Sequence, residues 1–282
     1  MKEVITPQAV LQSIKQVELW AEALKEKDLH EVSSFLDEAV RTYQQLEEAA
    51  QGSQLNLNQE DADRIKAIWV ISAPGTYFKR NKKDRYANKE WAHWADRRRI
   101  NYGFKVARRL AEIRAGREIT GNIPSELDLI RKYGPIIIYN GRSDENAHLI
   151  EAAKVPWFRI PEGLGYPPDR VSIINPVDHP RFNTEKYNLL DQIQTFSLPL
   201  NLQIQSGDEI GVVAHASQAV RVLYALEGSG AFPAGVMAWM FSLPTPDNGF
   251  PEYPTQEIRA MVYYRFIANP PVVGNRPYPY KT

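Results

Sequence analysis

Cysteine is absent from all 282 residues, which excludes disulfides, thiolate nucleophiles, zinc–cysteine centres and iron–sulfur ligation together. A reducing compartment suits such a chain, so cytoplasmic residence is the expectation. Net charge is also absent. Lys plus Arg and Asp plus Glu each total 34, so whole-chain electrostatics select neither nucleic acid nor membrane, and charge has to be read locally. Long hydrophobic runs are missing as well. The longest, AIWVI and VMAWMF, have the length of strands, and the opening MKEVITPQAVLQSIKQVELW carries charges where an export signal has an apolar core. No membrane span and no export signal are therefore expected.

What is present divides into three parts. Thr6-Pro7 forms a cap and first turn, and Val10, Ile14, Val17, Ala21 and Leu24 then recur at helical spacing. After KEKD a second face runs through Leu29, Val32, Leu36, Val40, Tyr43 and Leu46, giving an N-terminal helical hairpin over residues 1–56. Its polar face shows only solvating charges, so it reads as a packing or oligomerisation element without chemistry.

Over 57–268 the pattern changes to β-rich runs, AIWVIS, PIIIYNG, VSIIN, EIGVVAH and GVMAWMFSL, separated by helical stretches such as ELDLIRKY and SQAVRVLYAL. Consecutive apolar positions suit strands buried on both sides, which predicts an α/β fold with a mainly parallel sheet between helices. The tail 269–282, NPPVVGNRPYPYKT, has too many prolines for a ladder or helix and reads as an extended strap or a loose end.

In an open parallel sheet, ligands bind beyond the carboxyl ends of the strands, where the following helices present unsatisfied N–H groups. That rule marks five polar loops: Ser72 to Thr76, Asn140 to Glu145, Asn175 to Thr184, His215 to Gln218 and Ser242 to Asn248. In the first two, Ser72, Gly75, Asn140 and Gly141 are candidate ligand contacts, Gly75 through a turn around the ligand, with a plain turn as the alternative. Ser72 before Pro74-Gly75 resembles neither a GxSxG elbow nor a GxGxxG or Walker loop, which removes motif support for a hydrolase triad or a dinucleotide site.

Arginine enters from the flanking segments. Arg99 opens the helix in RRRINYGFKVARRLAEI, Arg142 follows the second strand, and Arg221 lies one or two turns into the helix after His215. Guanidinium offers paired planar donors suited to phosphate or carboxylate, so the three are candidates for holding an anion. Taken singly, each is more often a solvated charge or an internal ion pair. Glu145 and His215 are the candidates for proton handling. Against that stand a carboxylate complementing a helix start and a hydrogen-bonded loop histidine. Nothing at metal-ligand spacing accompanies His215, and HExxH is absent, so no metal is expected. Asn183-Thr184 with Asn188 has the look of a helix cap, and the same amides suit an anion.

The segment 78–99, FKRNKKDRYANKEWAHWADRRR, interleaves Lys and Arg with Phe78, Tyr86, Trp91 and Trp94. Three readings stand: a lid over a site, a plain charged excursion, or a surface for single-stranded nucleic acid.

The ordered set of loops resembles the ElyC/SanA/YdcF-like family. The residues that carry the resemblance are ISAPGT after the first strand, Arg99 before a helix, and Gly141 and Glu145 in YNGRSDENAHLIEAA. Asn183, Thr184 and Asn188 in an Asn-Thr-x-x-Asn segment, His215 and Arg221 in VVAHASQAVRVLYAL, and Glu257 in TQEIRAMVYY complete it. Asn140-Gly141-Arg142 replaces the family's Ser-Gly-Gly turn, 78–99 is an insertion, and the spacing from His215 to Arg221 is longer than usual. The resemblance implies a three-layer Rossmann-like sandwich, a ligand-binding role for these residues including Glu257, and S-adenosylmethionine as a cofactor candidate. The functional expectation is a small-molecule-binding protein, a transferase or hydrolase acting on an anionic or nucleotide-like ligand. The rival is a non-enzymatic protein or RNA interaction module using the hairpin and the basic aromatic segment.

Overall fold

The computed structural model describes residues 5–52, 55–72, 94–120, 123–141, 146, 165–175, 189–196, 204–245 and 253–282. In chain order the helices and strands are α1 (Pro7–Lys15), α2 (Glu18–Lys25), α3 (Leu29–Gln51), α4 (Gln59–Arg64), β1 (Ile65–Val70), α5 (Trp94–Ala115), α6 (Pro124–Tyr133) and β2 (Ile136–Tyr139). There follow β3 (Val171–Ile173), α7 (Leu189–Thr195), β4 (Glu209–His215), α8 (Ala216–Ser229), β5 (Met237–Leu243), α9 (Tyr253–Val262) and β6 (Tyr280–Lys281). A π-helical turn, Tyr263–Ile267, extends α9.

The six strands form one sheet in the order β3-β2-β1-β4-β5-β6, all parallel and flanked by helices, a Rossmann-like α/β sandwich. The inner strands explain their own sequences. In β1, Ala67, Ile68, Trp69 and Val70 are buried in succession, and every residue of β4 is buried. A strand covered on both faces has no solvent side to alternate toward, so it reads as continuous apolar sequence.

The chain forms two compact units, one of residues 54–213 and one of residues 1–53 with 214–282. In the first, β1 pairs with β2 and β4, and α5 packs on β1 through Gly103, where an added Cβ would stand 2.7 Å from Val70 Cγ2. In the second, α3 packs against α8 and β5, and Phe35 meets the rings of Tyr224 and Phe266 edge-on at 5.1 and 5.3 Å. The N-terminal segment therefore belongs to the same compact unit as the C-terminal part of the chain, where its sequence read as an appendage.

Two expectations are corrected. The N-terminal segment holds three helices, because the first predicted helix breaks at Gln16 and Val17; Val17 is extended, and its carbonyl accepts from Trp20 and Ala21 to start α2. In one straight helix Leu24 would lie roughly 80° around the axis from Ile14; with the break, both are buried. The proline-rich tail does reach a ladder, though only for the two residues of β6. Its prolines take part as acceptors, Pro279 receiving the Ala238 N–H at 3.0 Å, while Gly274 and Tyr278 donate to Tyr224 and Leu223 on α8.

Candidate functional site

Within residues 1–53 and 214–282, the carboxyl ends of β4 and β5 carry a buried polar set. His215 closes β4 and is the N-cap residue of α8, with only 1 % of its surface exposed. Its Nδ1 lies 3.1 Å from the Pro244 carbonyl oxygen just beyond β5. A carbonyl only accepts, so Nδ1 carries the proton and Nε2 is the basic nitrogen of the neutral ring. One residue further, the Ser217 amide donates to Thr245 Oγ1 at 3.2 Å, and the Thr245 amide donates to Glu47 Oε2 at 3.0 Å. Glu47 comes from α3, so the N-terminal segment fixes the loop that orients His215. Tyr43, also on α3, hydrogen-bonds Thr245 and Glu47; burial pushes its phenol above the ordinary pKa, and the neighbouring carboxylate adds to that.

Ser217 is fully buried and its Oγ has no hydrogen-bond partner among the described residues. It sits in the first turn of α8, where amides lack intrahelical acceptors. One turn on, Arg221 Nε lies 2.9 Å from Glu257 Oε2 on α9. Glu257 is wholly buried, so the carboxylate is held by a charge partner inside the protein. The structure thus pairs two predicted residues from distant stretches, Arg221 on α8 and Glu257 on α9, while His215 caps the helix that carries Arg221.

Within residues 54–213, Ser72 is buried just after β1, and Arg99 is buried in the second turn of α5. Asn140, at the end of β2, has a structural task. Its Oδ1 accepts from Trp69 Nε1 at 2.8 Å, and its Nδ2 donates to the Gln192 carbonyl at 2.5 Å and to Thr195 Oγ1 at 2.9 Å. Gly141 is buried beside it, and its carbonyl accepts from Asn146 Nδ2 at 2.9 Å. The same amide donates to the Ile174 carbonyl at 2.9 Å, which ties the β2 loop to the end of β3. Gly75, Arg142, Glu145, Asn183, Thr184 and Asn188 lie outside the described residues, as does most of 78–99. The five-loop rule did mark Ser217, Gln218 and Thr245, but the selection of single residues passed over them. Glu47 was missed outright. A signal was available, because Glu47 falls four residues after Tyr43 on the apolar face of α3, where a solvating charge has no place.

Among the described residues no group of three or more His, Asp or Glu is placed to hold a metal, and no helix is long and apolar enough to cross a membrane. Comparison with protein-family models, curated proteins and solved structures found no match.

Proposed function

We propose that this protein binds a small anionic or nucleotide-like molecule at the carboxyl ends of its parallel strands and acts on it as a transferase or hydrolase. The ElyC/SanA/YdcF-like resemblance belongs to the same reading, with S-adenosylmethionine among the ligands to test. The observation that carries it is the buried polar set at the start of α8. Burying His215, Ser217 and Glu257, with Arg221 half-buried beside Glu257, costs several kcal/mol relative to an apolar interior, a cost that a ligand site gives a reason to bear.

The geometry supports a role for each residue. His215, with its proton held on Nδ1 by Pro244, presents Nε2 as a base toward a ligand hydroxyl or an attacking water. Ser217 Oγ and the positive end of α8 are the donors for an anionic group. Arg221, oriented by Glu257, adds charge that stays fixed in direction. Arg142, Glu145, Asn183 and Thr184 are proposed contacts on sequence grounds alone.

Thermal unfolding of the full chain in the presence of nucleotides, sugar phosphates and S-adenosylmethionine is the test. A ligand at about 100 times its Kd stabilises by about 2.7 kcal/mol, a shift of several degrees. Stabilisation by one of these that His215→Ala or Ser217→Ala reduces is the expected result. Absence of any shift, with salt-sensitive retention of RNA in its place, gives the function to the rival reading.

A further inference from the structure

A second charged feature lies at the amino-terminal edge of the strands in the unit of residues 54–213. A cleft of about 390 Å³ opens there, before β1, β2 and β3, lined by Asp63, Lys66, Tyr133 and three further cations, Arg114, Lys132 and Arg170. That volume is at the small end of the range for ligand sites. Four of its lining side chains are positive and one is negative.

The partners of these cations are what make the cleft unusual. Arg114 donates only to backbone carbonyls: Nε to Ala62 at 3.0 Å, Nη1 to Tyr133 at 2.8 Å, and Nη2 to Ala62 and Ile65, each at 2.5 Å. Arg170 donates from Nη2 to the Gly134 carbonyl, and its buried Nε has no partner among the described residues. Lys132 stands 5.0 Å over the Tyr133 ring and has no carboxylate partner among the described residues. Lys66 reaches Asp208 at 3.5 Å. Carbonyls at the ends of α4 and α6 return roughly half a negative charge apiece and Asp63 returns a full one, which leaves the three remaining cations with an excess of about one positive charge. Burial is what pushes the Arg114 guanidinium below its ordinary pKa; Tyr166 and Asp63 oppose that, and the like charge of Arg170 adds to it least.

Carbonyl bonding fixes Arg114 without neutralising it, and the fork of Arg170 keeps a buried Nε–H with the remaining Nη donors beside it. Paired guanidinium donors match the edge of a tetrahedral oxyanion, and phosphate brings more acceptor oxygens to convergent cations than a carboxylate does. We propose that this cleft binds the phosphate group of a small phosphorylated molecule, at a site separate from the carboxyl-end loops. A small molecule fits better than a nucleic acid strand, because the cations converge on one cleft and do not track along a stripe with stacking aromatics.

Isothermal titration of the full chain with inorganic pyrophosphate tests this directly. The expected result is saturable binding that persists in chloride at matched ionic strength and weakens about tenfold in Lys132→Met, an exposed position, and in Arg170→Lys, which keeps charge but loses the fork. Should Arg170→Lys fail to fold, Lys132→Met alone decides. No saturable heat up to about 10 mM, or parent-like binding in both variants, overturns the proposal. So does a single-stranded oligonucleotide that binds more tightly than pyrophosphate and loses affinity in the same two variants, since that assigns the charge to a macromolecule.

Discussion

Replacing Asn140 by alanine tests whether this residue is a keystone of the β2 end. Its side chain is fully buried and makes three hydrogen bonds, to Trp69, Gln192 and Thr195. After truncation the Gln192 carbonyl still accepts from Thr195 Oγ1 at 3.0 Å, so it retains a partner. The Trp69 indole N–H does not, because Trp69 is itself fully buried and donates to Asn140. An orphaned buried donor costs about 1–3 kcal/mol, and the lost bonds to Gln192 and Thr195 add about 1 kcal/mol more. The expected loss is therefore about 2–4 kcal/mol, a large part of the 5–15 kcal/mol typical of a domain. Urea unfolding followed by far-UV circular dichroism, with the slope held fixed between parent and Asn140→Ala, measures it. A loss below about 0.5 kcal/mol would refute the reasoning, since it would mean that the indole finds another acceptor and that Asn140 is available for a ligand.

Three further outcomes are expected. Gly228→Ala places a Cβ 2.7 Å from the Gly274 nitrogen and Val273 carbonyl carbon, backbone atoms that cannot turn aside, so a loss of about 1–3 kcal/mol in urea unfolding is expected despite the better helix propensity of alanine. Arg221→Met takes the arginine charge away from the wholly buried Glu257 and should cost about 3–5 kcal/mol, whereas the double variant with Glu257→Gln should recover most of it; a double variant as unstable as the single one would contradict the pairing. Tyr43, Tyr166 and Tyr224 all have phenol pKa values raised foremost by burial. Unfolded tyrosine titrates near pH 10, so the unfolded chain loses its protons first; the contribution is complete below about pH 10 and is lost as pH rises through the folded values. The urea midpoint should fall steadily above about pH 10, with phenolate absorbance appearing together with unfolding, and a constant midpoint would contradict it.

The strands were legible because burial on both faces leaves a simple mark, and the apolar runs around Ile68, Ile137, Val212 and Met240 coincide with β1, β2, β4 and β5. The break at Val17 was not legible, since Val17 and Ala21 continue the spacing of Ile14 and only the tertiary requirement to bury Leu24 with it interrupts the helix. Nor was β6, where a strand of two residues among prolines has no periodicity to detect. That His215 ends β4 and Arg221 follows in α8 was legible from the apolar run before them. Glu47 could not be found by the rule of polar strand ends, since its hydrogen bond to Thr245 spans 198 residues of sequence and depends on α3 packing against β5. Asn140 shows the converse. The rule that marks polar residues at strand ends does not distinguish one that faces a ligand from one that holds Trp69 in place.

The central claim is that His215, with its proton fixed on Nδ1, faces a bound small molecule. Long-range nitrogen–proton correlation spectra of the imidazoles, with His215 assigned by His215→Gln, measure this most directly, before and after saturation with whichever nucleotide, sugar phosphate or S-adenosylmethionine stabilises the fold. The account expects the Nδ1-protonated tautomer in the free protein and a change at Nε2 on saturation. An Nε2-protonated ring, or an unchanged His215 signal while the ligand saturates, would contradict it.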